Sequence, residues 1–172
     1  MTLYPDLPFD ARGLSRRRTL HLRVLRRAAR LERALRGGGV RLRAIELRSL
    51  RSFAAMLQGP FRTHLADEER DTFPRLAREF PELGGTLARL AEEHAELRAM
   101  SADLVVQLAR APSTERDERL LVLGTDLTEL LRLHIHVEEH AVYGWIERLL
   151  PPARPRRGPR PSRRASRPHG TP

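Results

Sequence analysis

Apolar residues recur along this chain at spacings of three and four, the period of an amphipathic helix, in four successive segments. The first is predicted from about Leu14 to Leu35, with Leu14, His21, Leu25, Ala28, Leu31 and Leu35 sharing a broad face. Gly37, Gly38 and Gly39 end it, because glycine is favoured just past a helix C-terminus and is poor within one. The second is predicted from about Val40 to Thr72, with Leu42, Ile45, Leu50, Phe53, Met56, Leu57, Phe61, His64, Leu65 and Glu68 inward. Gly59-Pro60 predicts a kink, or a break and restart, since proline removes an internal hydrogen bond. Pro74 limits this helix, with one short helical turn at 75–79, and Pro81, Gly84 and Gly85 mark the way onward. The third is predicted from about Thr86 to Arg110, with Leu87, Leu90, Ala91, His94, Leu97, Leu104 and Leu108 inward. The fourth follows Ser113, a residue suited to cap a helix N-terminus, and runs to about Leu150 before Pro151-Pro152. Its inward face reads Leu120, Leu123, Leu127, Leu130, Leu131, His134, Glu138, Ala141, Trp145 and Leu149.

Four such helices with short links predict an all-α, up-down-up-down four-helix bundle over residues 14–150. Residues 151–172 are rich in Arg and Pro and nearly free of apolar side chains, so a disordered basic tail is expected. A chain of 172 residues accommodates one such domain plus this tail.

Composition narrows the chemistry. The absence of cysteine excludes disulfides, zinc ribbons, iron–sulfur clusters and thiol catalysis. No apolar stretch is long enough to span a bilayer, and the first residues carry no apolar signal core, so a soluble cytoplasmic protein is expected. The formal charge of +10 suggests a nucleic-acid partner, but residues 151–172 hold 7 of the 32 basic residues and no acid. The rest carries 25 basic against 22 acidic residues, a net of +3, which is an ordinary surface. Every basic residue is Arg, a uniformity that reflects compositional bias rather than a binding site.

The chemistry lies in an internal echo. Residues 64–73 read HLADEERDTF and residues 134–143 read HIHVEEHAVY, both fitting H-x-x-x-E-E-x-x-x-[FY]. His21 precedes His64 by 43 residues and His94 precedes His134 by 40, so the chain reads as two copies of a helix pair. Four residues along a helix rise about 6 Å and return to the same face, so each His-x-x-x-Glu aims an imidazole and a carboxylate one way. Two pairs facing each other would converge His21, His64, Glu68, His94, His134 and Glu138 on one point in the core. Buried carboxylates are costly unless paired or bound to metal, and Glu68 and Glu138 sit where leucine would be expected. A shared metal site explains all six positions together. Glu69 and Glu139 lie about 100° further round their helices and are expected to face solvent or surface Arg. His136 and His140 form a further H-x-x-x-H on the outer face, expected to be solvated surface, and Tyr143 is expected to pack near the site.

These residues make the chain resemble the hemerythrin-like, or HHE cation-binding, family. The resemblance covers about residues 14–150 and rests on the order His, His-x-x-x-Glu, His, His-x-x-x-Glu, with EERDTFP matching the family's ending to its second helix. It implies two non-heme iron ions bridged by carboxylates and an oxo or hydroxo group, held by His21, His64, Glu68, His94, His134 and Glu138. Manganese or zinc could substitute. The oxygen-carrying branch uses five His, and only four inward His occur here, which points away from stable oxygen carriage and toward sensing or iron handling.

The expected function is therefore a di-iron binding protein that senses, stores or scavenges dioxygen, nitric oxide or iron, with those gases or small anions as partners at the metal. Two alternatives stand beside it. One is a small oxidase, peroxidase-like or iron-repair enzyme on the same centre. The other is a metal-regulated adaptor whose tail adds weak, salt-sensitive nucleic-acid contact.

Overall fold

The computed structural model describes residues 11–37, 39 and 41–149. The expected start of the second helix at Val40, the end of the fourth at Leu150, and the tail 151–172 lie outside the described residues. Four long helices account for nearly all the rest, and no strand occurs among the described residues. Helix α1 is Ala11–Arg36, α2 spans residues 44–79, α3 is Gly84–Ala109, and α4 spans residues 114–149. Helix α1 packs on α2 and α4, and α3 packs on the same two, so the four close into a helical bundle around one core.

The core has two apolar clusters with a polar layer between them. One gathers Val24, Leu31, Phe53, Phe61, Leu104, Leu127 and their neighbours. The other gathers Leu14, Phe73, Leu76, Leu87, Leu90, Val142, Tyr143 and Ile146. The six expected site residues form the layer where they meet.

Helix α2 is a chain of segments. Ala44–Met56 leads into a π turn at Leu57–Phe61, where Gly59 leaves helical geometry (φ −104°, ψ −106°) beside Pro60. The kink thus falls where the sequence places it. The helix resumes at Arg62–Asp67, passes through a second π turn at Glu68–Thr72, and ends with Phe73–Glu79. Pro74 does not limit it. It sits in the first turn after the π segment, where a missing N–H is tolerated. Helix α4 repeats the device, with Thr114–Val137, a π turn at Glu138–Tyr143, and Gly144–Leu149.

These π turns correct the predicted inward face of α4. A π turn bonds i to i+5, which carries the inward face after Glu138 past the third residue on, Ala141, to Val142 and Tyr143. Val142, Tyr143 and Ile146 are buried, whereas Ala141 is exposed and Trp145 half-buried. Ile45, predicted inward, is exposed because α2 begins at Ala44 and turns Glu46 inward instead. The Glu46 carboxylate accepts from the Arg43 backbone N–H at 2.8 Å and from Arg43 Nε at 2.8 Å, closing the helix start. Ser113 caps α4 as its sequence suggests, its Oγ accepting from the Arg116 N–H at 3.1 Å. Asp117 in the following turn accepts from the Leu42 N–H at 3.1 Å and from Arg116 Nε at 2.9 Å, tying the α1–α2 link to α4.

Candidate metal centre

All six expected residues meet. His21, Glu68, His94, His134 and Glu138 are at most 1% exposed, and His64 is 6% exposed. His21 comes from α1, His64 and Glu68 from α2, His94 from α3, and His134 and Glu138 from α4. The i, i+4 spacing brings each imidazole over its own carboxylate: His64 Nε2 lies 3.3 Å from Glu68 Oε1, and His134 Nε2 lies 3.7 Å from Glu138 Oε2. The cross-bundle distances are similar. His21 Nε2 is 3.4 Å from Glu138 Oε2, and His94 Nε2 is 3.7 Å from Glu68 Oε2.

Each carboxylate therefore stands between imidazoles of different helices. Glu68 turns Oε1 to His64 and Oε2 to His94, while Glu138 lies between His21 and His134. The Nε2 atoms of His21 and His64 face each other at 2.9 Å. One donor atom each from His21, His64 and Glu138 fall within 4.8 Å of one another, close enough to share an ion.

The layer is under-satisfied as it stands. Among the described residues, the buried side-chain polar atoms with no hydrogen-bond partner are Glu68 Oε2, His94 Nε2, His134 Nε2 and both carboxylate oxygens of Glu138. All five belong to the six expected residues. A buried donor or acceptor left unpaired costs about 1–3 kcal/mol, so five on one spot call for a common partner. Cations fit: each of these atoms offers a lone pair when the imidazole is neutral and the carboxylate ionised.

The protonation states of His64, His94, His134 and Glu68 suit that role. Burial pushes His64 down to about 4, and burial together with the neighbouring His94 does the same to His134. Burial also lowers His94. For Glu68 burial works against the charge, but His64, hydrogen bonding that includes Tyr143, and Arg17 outweigh it and bring the carboxyl to about 2. Glu138 goes the other way: burial, then the Glu68 charge, raises it well above the usual range.

A further ring of residues orients the six. Glu139 Oε1 is 2.8 Å from His21 Nδ1, Glu69 Oε1 is 3.0 Å from His94 Nδ1, and Glu93 Oε2 is 3.1 Å from His134 Nδ1. These contacts fix which nitrogen points inward. Glu69 and Glu139 do meet surface arginines, as expected, but each also grips an imidazole across the bundle. Glu93 escaped the sequence reading. Its signal was an acid directly before His94 with Arg89 one turn earlier. Tyr143 does more than pack: its hydroxyl donates to Glu68 Oε1 at 2.6 Å, and its ring stacks on His21 at 5.6 Å. Phe73, its counterpart in α2, stacks on His94 at 5.3 Å. His136 and His140 lie exposed on the outer face as expected, His140 Nδ1 donating to its own helix at the His136 carbonyl.

Residues 13–146 match the family described as hemerythrin HHE cation binding domain. The chain belongs to that family. No curated protein and no solved structure matches it. The HHE match takes in part or all of each of the four helices and every residue of the buried layer, so the family's cation-binding character and the His/Glu cluster concern the same part of the chain. No helix of the described HHE domain is long and apolar enough to cross a membrane.

Proposed function

We propose that this HHE domain, as an up-down-up-down bundle, holds a dinuclear non-heme iron centre and uses it to sense, store or scavenge dioxygen, nitric oxide or iron. The carrying observation is the coincidence of the five unpartnered buried atoms with the six expected ligands. His21 and His64 would serve one ion, His94 and His134 the other, with Glu68 and Glu138 between them. When bound, such a centre supplies open or exchangeable positions for diatomic gases and small anions.

The chain's own contribution is preorganisation. Carboxylates on Nδ1 of His21, His94 and His134 hold those rings in the tautomer that presents Nε2. Burial keeps His64 and His134 neutral at physiological pH, so protons do not compete for their nitrogens. Arg17 and Tyr143 orient Glu68 through its Oε1. The two apolar clusters on either side exclude bulk water from the layer.

Anaerobic reconstitution with ferrous iron tests the reading. About two irons per chain are expected, together with ultraviolet–visible bands that appear on exposure to oxygen. Glu138→Ala removes the carboxylate shared by both positions and should abolish the bands. Native protein that retains no iron, or bands unchanged in the variant, would overturn the proposal.

A further inference from the structure

The four imidazoles are not held alike. Three belong to chains of the form arginine–glutamate–histidine. Arg18 Nε bonds Glu139 at 2.9 Å, and Glu139 holds His21. Arg98 bonds Glu69 at 2.8 Å, and Glu69 holds His94. Arg89 Nε bonds Glu93 at 3.1 Å, and Glu93 holds His134. Among the described residues, His64 Nδ1 meets no such carboxylate.

The internal echo says why. Setting His21 on His94 pairs Arg16 with Arg89 and Leu20 with Glu93. Where α3 carries the carboxylate that would anchor the histidine of its partner helix, α1 carries leucine. In place of the missing contact there is a cleft of about 390 Å³ lined by Arg16, Leu20, Thr63 and His64.

A second asymmetry falls on the same side. The same alignment pairs Arg17 with Leu90, and the echo pairs Tyr143 with Phe73. Arg17 donates to Glu68 Oε1 at 2.7 Å and Tyr143 at 2.6 Å, so the oxygen facing His64 already accepts two strong hydrogen bonds. Oε2, facing His94, accepts none. Leu90 and Phe73 have no polar group to offer Glu138, whose two oxygens are both unpartnered.

We propose that the two metal positions are unequal: the one served by His21 and His64 exchanges its ion, through the cleft between α1 and α2, and the one served by His94 and His134 retains it. This rests on the dinuclear reading above. A loosely held imidazole and a carboxylate oxygen engaged elsewhere both weaken the first position. The second has both rings anchored and a bare carboxylate oxygen. A divalent cation can then be taken up or given away one at a time while its neighbour keeps the layer assembled.

Withdrawal of Zn²⁺ from the full chain by excess chelator, followed with a chromogenic indicator, is the test. Two phases of one ion each are expected, differing about tenfold or more in rate, the scale on which such orienting contacts act. Leu20→Glu restores the missing carboxylate beside Arg16 and should slow the fast phase, whereas Leu20→Gln, isosteric but uncharged, should leave it faster. Tyr143→Phe removes one of the two hydrogen bonds on Glu68 Oε1 and should also slow the fast phase, an independent route if Leu20→Glu misfolds by circular dichroism. His64→Ala should keep one slowly released ion. A single phase carrying both ions, or a fast phase of full amplitude in His64→Ala, overturns the inequality while leaving two metals in place. Native protein that binds no Zn²⁺ overturns the dinuclear reading itself.

Discussion

At the scale of single residues, the centre is a set of side chains whose donor atoms are aimed by partners on other helices. The six inward residues were legible because each breaks a leucine pattern, and burial makes such a break costly. Their orienting partners were harder to read. Glu69 and Glu139 sit about 100° from the inward face, which looks like solvent on an isolated helix. In the bundle that direction is the seam with the next helix, where His94 Nδ1 and His21 Nδ1 lie. Glu93 is the clearest case for measurement, since it touches His134 but lies outside the six. Glu93→Ala should weaken metal binding about 10–100-fold with the helical fold intact, read by competition against a chromophoric chelator. His136→Ala, an exposed site, should leave affinity unchanged. Equal affinity in both variants would remove Glu93 from the centre.

At the scale of elements, the four helices and the Gly59-Pro60 kink follow from period and punctuation, but the π turns do not. Both fall at the site carboxylates, in the paired segments Glu68–Thr72 and Glu138–Tyr143. The spacing of five between Glu and the aromatic in H-x-x-x-E-E-x-x-x-[FY] is their imprint, and a regular helical period hides it. It places Phe73 and Tyr143 over His94 and His21. The far end of the bundle is fixed by charge instead. Burial disfavours ionised Asp117, but Arg116 and the Leu42 N–H outweigh it, so its carboxyl lies below its ordinary value near 3.8. A lowered folded-state pKa means the folded protein binds fewer protons than the unfolded chain. The stability Asp117 contributes is thus present above about pH 4 and lost as pH falls below it. Asp117→Asn should cost about 2 kcal/mol at pH 7 by removing a charged acceptor from these donors, measured by urea unfolding. The cost should shrink on titration toward pH 3, and metal content should stay at the native level. A cost that grows toward acid would contradict the assignment.

At the scale of the whole molecule, the polar layer divides one apolar core into two, and the metal-free bundle satisfies that layer only in part. Glu138 is the extreme member: fully buried, both oxygens unpartnered, and pushed toward its neutral form by burial and by Glu68. An unsatisfied buried polar group costs about 1–3 kcal/mol, and replacement by an apolar side chain of similar shape recovers much of it. Glu138→Met should therefore raise the melting temperature of the metal-free protein, by about 5 °C for some 2 kcal/mol in a domain of this size. The same variant should lose the response to metal. Native protein held at a hundredfold excess over its dissociation constant gains about 2.7 kcal/mol from a ligand that binds only the folded state, and the variant should gain far less. Calorimetric scans with and without metal give both numbers. A variant less stable than metal-free native protein would mean that Glu138 is satisfied by the fold itself, and that the layer exists for packing rather than for cations. Opposite shifts in the two states would show a core arranged around ions at the expense of its own stability.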